Sequence, residues 1–176
     1  MILILSTVSD ELLYYEFVKP LERIISKIDS YDVVNYMENY DPFKYDKVVI
    51  SGTAIKDFGY LDKLDRFNWI LNYNKNIVGI CAGSQIIARL YGMELIDREI
   101  IGIKHVKCRD YGYGSKFLAY FIITKIPQYN SNVDPLCLLE NGLPVGFKIL
   151  GTNKYGFLFH PEVYNEPLLT SILFKI

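Results

Sequence analysis

The chain predicts an α/β fold: a mostly parallel sheet flanked by helices, with further mixed or antiparallel strands in the C-terminal half. Three observations predict it. Continuous apolar runs of strand length recur in the first half, the pattern of strands covered on both faces. Amphipathic helical stretches alternate with those runs. From Ile100 onward the strand-like runs follow one another with little helix between them.

Ile2-Leu3-Ile4-Leu5 is the first such run. It meets Asp10 and Glu11 quickly and has no basic residue before it, so it lacks the plan of a signal peptide and reads as a strand. Ser9 is a candidate N-cap for the following helix, where Phe17, Leu21, Ile24, Ile25 and Ile28 form one apolar stripe and Pro20 kinks or divides it. Val33-Val34 gives a short strand, Asp41-Pro42 a turn, and the run from Lys47 to Ser51 a buried strand ending at Gly52. Leu61 to Tyr73 reads as a helix, Ile77 to Ile80 as a strand, and Ile86 to Tyr91 as the next helix. Strands follow at Ile101 to Val106, Phe117 to Ile126, Phe147 to Leu150 and Phe157 to Phe159, and Asn165 to Phe174 closes as a helix.

A length of 176 residues fits one domain, and no linker, repeat or low-complexity segment divides 1–176. Nineteen basic against twenty acidic residues leave a net charge of −1, with no bulk attraction to phosphate backbones or anionic membranes, so nucleic acid is not an expected partner. The longest wholly apolar run, Phe117 to Ile123, is far short of the ~20 residues a membrane helix needs. Cys81, Cys108 and Cys137 are an odd number at wide spacings without a CxxC pair or a His cluster. They suggest neither a disulfide framework nor a metal site, and a reducing cytoplasm is the expected compartment.

With three Cys and two His, thiol or imidazole chemistry has few candidates. Gly79-Ile80-Cys81-Ala82-Gly83-Ser84-Gln85 lies between a buried strand and a helix. A nucleophile on such a turn is held out at the sheet's carboxyl edge, small neighbours allow the backbones to approach, and the helix N-terminus favours a thiolate and an oxyanion. The structural alternative is a buried cysteine in a tight turn. His160 ends the run Phe157-Leu158-Phe159 and precedes Pro161-Glu162, which places it where a strand gives way to a turn. Glu162 could fix its tautomer and orientation, and a capping or core histidine is the alternative. His105, among Ile103, Lys104 and Lys107, reads as a partly exposed strand residue, and Cys108 and Cys137 as structural. Lys104, Lys107, Arg109, Tyr111 and Tyr113, with Gly112 and Gly114, mark an exposed edge segment that could dock a partner.

Gly79, Cys81, Gly83 and Gln85, with His160-Pro161-Glu162 downstream, resemble the GxCxGxQ elbow and HPE motif of the class I glutamine amidotransferases, over most of the chain. In length and plan the chain is similar to the free-standing glutaminase subunits of that family. The resemblance implies a flavodoxin-like fold and a glutaminase using Cys81, His160 and Glu162, with no metal or organic cofactor. Cys81 would attack the side-chain amide of glutamine, His160 would protonate the departing ammonia, and Glu162 would orient His160. The amides of Ala82 and of the Gly52-Thr53 turn would form the oxyanion hole, and Gln85 would contact the amino-acid end of the substrate. The short chain implies a separate ammonia-accepting synthase subunit. Thr53 and Ala54 stand where the family has Gly-Pro, Leu158 stands where it has Gln, and residues Tyr120 to Asp134 contain no His, departures that touch substrate recognition. A γ-glutamyl hydrolase with the same triad, or a non-catalytic binding or regulatory member, are the alternative functions.

Overall fold

The computed structural model describes residues 1–109 and 116–174. Nine strands form one sheet: β1 (Ile2–Ser6), β2 (Tyr31–Asn35), β3 (Lys47–Ile50), β4 (Asn76–Ile80), β5 (Leu95–Cys108), β6 (Lys116–Pro127), β7 (Val133–Leu139), β8 (Pro144–Ile149) and β9 (Lys154–Phe157). Their order is β2-β1-β3-β4-β9-β8-β7-β5-β6. The pairs from β2 to β9 are parallel and those from β9 to β6 antiparallel, the change of direction anticipated for the C-terminal half. The helices are α1 (Glu11–Phe17), α2 (Lys19–Ile25), α3 (Ala82–Leu90), α4 (Pro161–Tyr164) and α5 (Glu166–Phe174).

The apolar runs become strands because both faces are covered. Ile2 to Leu5, Val48 to Ile50, and Ile77, Val78 and Ile80 are fully buried, and burying each such side chain stabilises by about 1.5–3 kcal/mol. α3 packs on β3, β4 and β9 and also touches β6, so the sheet curls and its far end returns toward the centre. Strand order reverses between β1 and β3, which opens a crevice at the carboxyl ends of these strands.

Several local expectations are corrected. The first helix is capped by Asp10, whose carboxylate accepts from the Leu13 amide, rather than by Ser9. Pro20 does divide it, sitting in the first turn of α2, where a missing N–H costs nothing. Ile28 lies beyond α2. The stretch expected as a helix over Leu61 to Tyr73 is a 3-10 segment, Gly59–Asn72, broken at Lys63. Strand β7 has no counterpart among the expected elements.

The larger correction concerns the thiols. Cys108 and Cys137 form a disulfide across the β5–β7 pair, with Cα atoms 4.0 Å apart. Antiparallel register sets the two residues directly opposite each other, a proximity that 29 residues of sequence separation conceal. Cysteine spacing therefore no longer argues for a reducing compartment. No helix among the described residues is long and apolar enough to cross a membrane. His105 is exposed on β5, as expected. Lys104, Lys107 and Arg109 are also exposed, and Arg109 pairs with Asp134. Tyr111, Gly112, Tyr113 and Gly114 lie outside the described residues.

Candidate active site

Cys81 stands between β4 and α3 with φ 48° and ψ −101°, a positive φ in a residue with a side chain. Such a conformation costs on the order of 1–3 kcal/mol and persists only where the surroundings enforce it. Here the Cys81 amide donates to the Phe157 carbonyl on β9 at 2.8 Å, and the Cys81 carbonyl accepts from the Gln85 amide and, at 2.6 Å, from the Ser84 hydroxyl. A Cβ on Gly79 would stand 2.5 Å from Gly83, and one on Gly83 would stand 2.5 Å from the Ile50 carbonyl. The two glycines let strand and helix meet at the sharp turn that presents the thiol.

The first turn of α3 leaves the amides of Ala82, Gly83 and Ser84 without intrahelical partners, and the helix dipole adds partial positive charge beside the sulfur. Cys81 is 5% exposed, and its thiol donates to the Ile122 carbonyl of β6 at 3.7 Å.

His160 follows β9 and caps α4, with its amide held by the Tyr120 carbonyl at 2.9 Å. Its Nδ1 lies 2.8 Å from Oε1 of Glu162, and both side chains are 2% exposed. His160 Nε2 and Glu162 Oε2 are buried without a hydrogen-bond partner. Burial disfavours the imidazolium, but the Glu162 carboxylate, with the charge of the neighbouring Cys81, outweighs it, and the His160 pKa rises to about 10. The rings of Phe17 and Tyr120 flank the imidazole.

Gly52 closes the group. A Cβ there would meet His160 Cε1 at 2.6 Å and Cys81 Cβ at 3.3 Å, so the chain beyond β3 touches both side chains. Thr7, at the end of β1, fixes that turn: its hydroxyl donates to the Ser51 and Gly52 carbonyls at 3.0 and 3.1 Å, and its amide donates to the Ser51 hydroxyl. Thr53 donates through its hydroxyl to Asp57 at 2.6 Å. The structure thus brings Cys81, His160, Glu162, Gly52, Thr53 and Ala82 to one place.

Gln85 is there too, but both ends of its amide are engaged. Nε2 donates to the Lys125 carbonyl at 2.6 Å, and Oε1 accepts from the Tyr60 hydroxyl. Tyr60 is raised above the ordinary tyrosine range by burial first and by the Cys81 and Asp57 charges after it. Thr53, Phe58, Tyr60, Gln85, Ile122 and Thr124 help to enclose the space over Cys81, a cavity of about 10 Å³. Sequence reading missed Thr7, Tyr60 and the β6 carbonyls. The place of Thr7 at the carboxyl end of a buried strand was a usable signal; the others had none, because they act through tertiary contact. Among the described residues no cluster of three or more His, Cys, Asp or Glu could hold a metal ion.

Comparison with known proteins bears on the fold and the family. Residues 13–176 match the family model for glutamine amidotransferase class-I. A provisionally assigned GMP synthase subunit from Thermoplasma acidophilum superposes with a TM-score of 0.81 at 20% identity, covering 98% of this chain and 92% of that one. A glutamine amidotransferase from Thermotoga maritima gives 0.71 at 19% identity, with 92% and 75% covered. PurLQS from Thermotoga maritima gives 0.75 at 13% identity, with 98% and 97% covered. These structures share the fold, and the family match extends over nearly the whole chain: it belongs to the class-I glutamine amidotransferases.

Proposed function

We propose that the protein is a glutaminase that releases ammonia from glutamine through Cys81, His160 and Glu162. One observation carries the reading: a strained cysteine at a strand-to-helix turn shares a buried site with a histidine that a buried carboxylate orients. The Cys81 thiolate attacks the amide carbon, and the amides of Ala82 and of the Gly52-Thr53 turn hold the developing oxyanion, each such donor being worth about 2.7–4 kcal/mol. His160 gives its proton to the leaving nitrogen, the carbon–nitrogen bond breaks, and ammonia departs from a γ-glutamyl thioester. Water then adds to the thioester, His160 takes its proton, and the thiolate leaves as glutamate forms. Gln85 meets the amino-acid end of the substrate. The relatives' names include PurLQS and a GMP synthase subunit. We accordingly propose that the ammonia passes to a separate synthase subunit.

The cavity over Cys81, about 10 Å³, is smaller than a glutamine side chain, so its walls must part for the substrate. That closure favours low activity in the isolated chain. It also supports a second reading, a binding or regulatory member with an inert thiol. Incubation with a glutamine chloroketone, followed by mass spectrometry, separates them: modification confined to Cys81 supports the glutaminase, and an unmodified Cys81 selects the second reading. Glutamine hydrolysis that survives Cys81→Ala would sink the mechanism.

A further inference from the structure

Lys154 opens β9 and is 3% exposed, a buried cation at the opposite end of the strand from His160. Its ammonium donates to the Tyr73 carbonyl at 2.9 Å. A lysine carries three donors, and among the described residues neither Lys154 nor Lys148 is paired with a carboxylate. Burial alone pulls the Lys154 ammonium below the ordinary lysine range, as expected of a cation without a counter-charge. Removing an ammonium from water costs several kcal/mol. A single neutral acceptor returns much less, so a role limited to tethering Tyr73 leaves the charge unaccounted for.

Lys154 is among the residues lining a pocket of about 410 Å³. Lys148 stands on its wall, above the Tyr155 ring, together with Asn74, Thr152, Asn153 and the Gly151 turn. Leu71 is the one apolar side chain, and no aspartate or glutamate contributes. The Asn74 and Asn153 side-chain amides add neutral donors. A concave lining that carries two lysines and two asparagines and no carboxylate suits an anion of more than one charge.

We propose that this pocket, at the amino-terminal edge of β4 and β9, binds a phosphate group, with Lys154 at its base and Lys148 on its wall. It is separate from the Cys81 site. Asn76 and Cys81 are five positions apart along β4, roughly 16 Å at ~3.3 Å per residue. The volume exceeds that of orthophosphate, so a phosphate monoester of a small metabolite is accommodated as readily as the free ion. The proposal does not depend on glutamine hydrolysis.

Isothermal titration calorimetry of the full chain with inorganic phosphate, with glycerol phosphate, and with chloride at matched ionic strength tests it. The expected result is saturable binding of phosphate that chloride does not reproduce. Lys154→Met and Lys148→Gln are each expected to weaken it about tenfold or more, the loss of one charge-assisted hydrogen bond. Tighter binding of the ester identifies a phosphorylated metabolite as the occupant, and binding of the free ion alone identifies orthophosphate. Should Lys154→Met not fold, the half-buried Lys148→Gln decides the matter. Phosphate binding no stronger than chloride, or unchanged in the variants, would overturn the proposal.

Discussion

His160 Nδ1 and Glu162 Oε1 meet at 2.8 Å inside a site where both side chains are almost wholly buried. That contact keeps a positive charge on the imidazole at a depth where burial alone would remove it, and it occupies Nδ1 while Nε2 has no hydrogen-bond partner. Glu162→Gln keeps a hydrogen-bonding group and deletes the charge. Glutamine hydrolysis is expected to fall on the order of 10²–10⁴-fold, the usual contribution of general acid–base catalysis.

The same pair sets a pH dependence of stability. The folded pKa of about 10 stands above the ordinary histidine value of roughly 6.5. The protonated imidazole therefore adds stability that is fully present below pH ~6.5 and is lost as pH rises through about 10. Thermal midpoints measured from pH 6 to pH 10 should decline more steeply in the native protein than in Glu162→Gln. Parallel curves would show that the carboxylate does not hold the proton.

Gly52→Ala probes the convergence of three chain segments. The added methyl would stand 2.6 Å from His160 Cε1 and press on Cys81, so the imidazole must shift. Overpacking of this kind costs about 1–3 kcal/mol. Hydrolysis is expected to fall by at least 10²-fold, because a 1 Å displacement can cost that much, while circular dichroism reports an intact fold. Retained activity would place the site's tolerance well above what the packing indicates.

Tyr60→Phe removes one hydroxyl and keeps the ring. Gln85 Oε1 loses its donor, and its amide is then held at the Lys125 end alone. The stability cost should be about 1 kcal/mol. On the proposal that Gln85 meets the amino-acid end of the substrate, the KM for glutamine should rise severalfold with kcat less affected. A drop in kcat at constant KM would assign Tyr60 to the chemistry instead.

Reducing the Cys108–Cys137 disulfide opens a 29-residue separation. On chain-entropy grounds its loss should lower stability by about 3–4 kcal/mol. Urea unfolding with and without dithiothreitol measures this directly, and coincident curves would show that the bond contributes nothing.

The sequence made the parallel half legible because those strands are buried on both faces and their apolar runs are unbroken, as in Ile2 to Leu5 and Val48 to Ile50. Strand β7 escaped notice because Asp134 and Pro135 interrupt it and its pairing carries irregularities at Pro135 and Cys137. Cys81, His160, Pro161 and Glu162 could be found because a turn chemistry and a short local motif name them. The disulfide could not be found, since strand register makes it and register is a tertiary outcome. Gln85 was legible as a site residue, yet nothing in its neighbours announces that Tyr60 and Lys125 hold it.

Strand β6 reaches the site through its main chain. The Tyr120, Ile122 and Lys125 carbonyls accept from the His160 amide, the Cys81 thiol and the Gln85 side chain. Every amino acid supplies the same carbonyl, so this wall of the site can be rewritten residue by residue while its hydrogen bonds stay in place. What the strand must preserve is its curvature and phase, properties that many unrelated sequences satisfy. A segment without a recognisable signature can thus serve as a fixed part of the site, and the lack of a histidine between Tyr120 and Asp134 leaves these carbonyl contacts undisturbed.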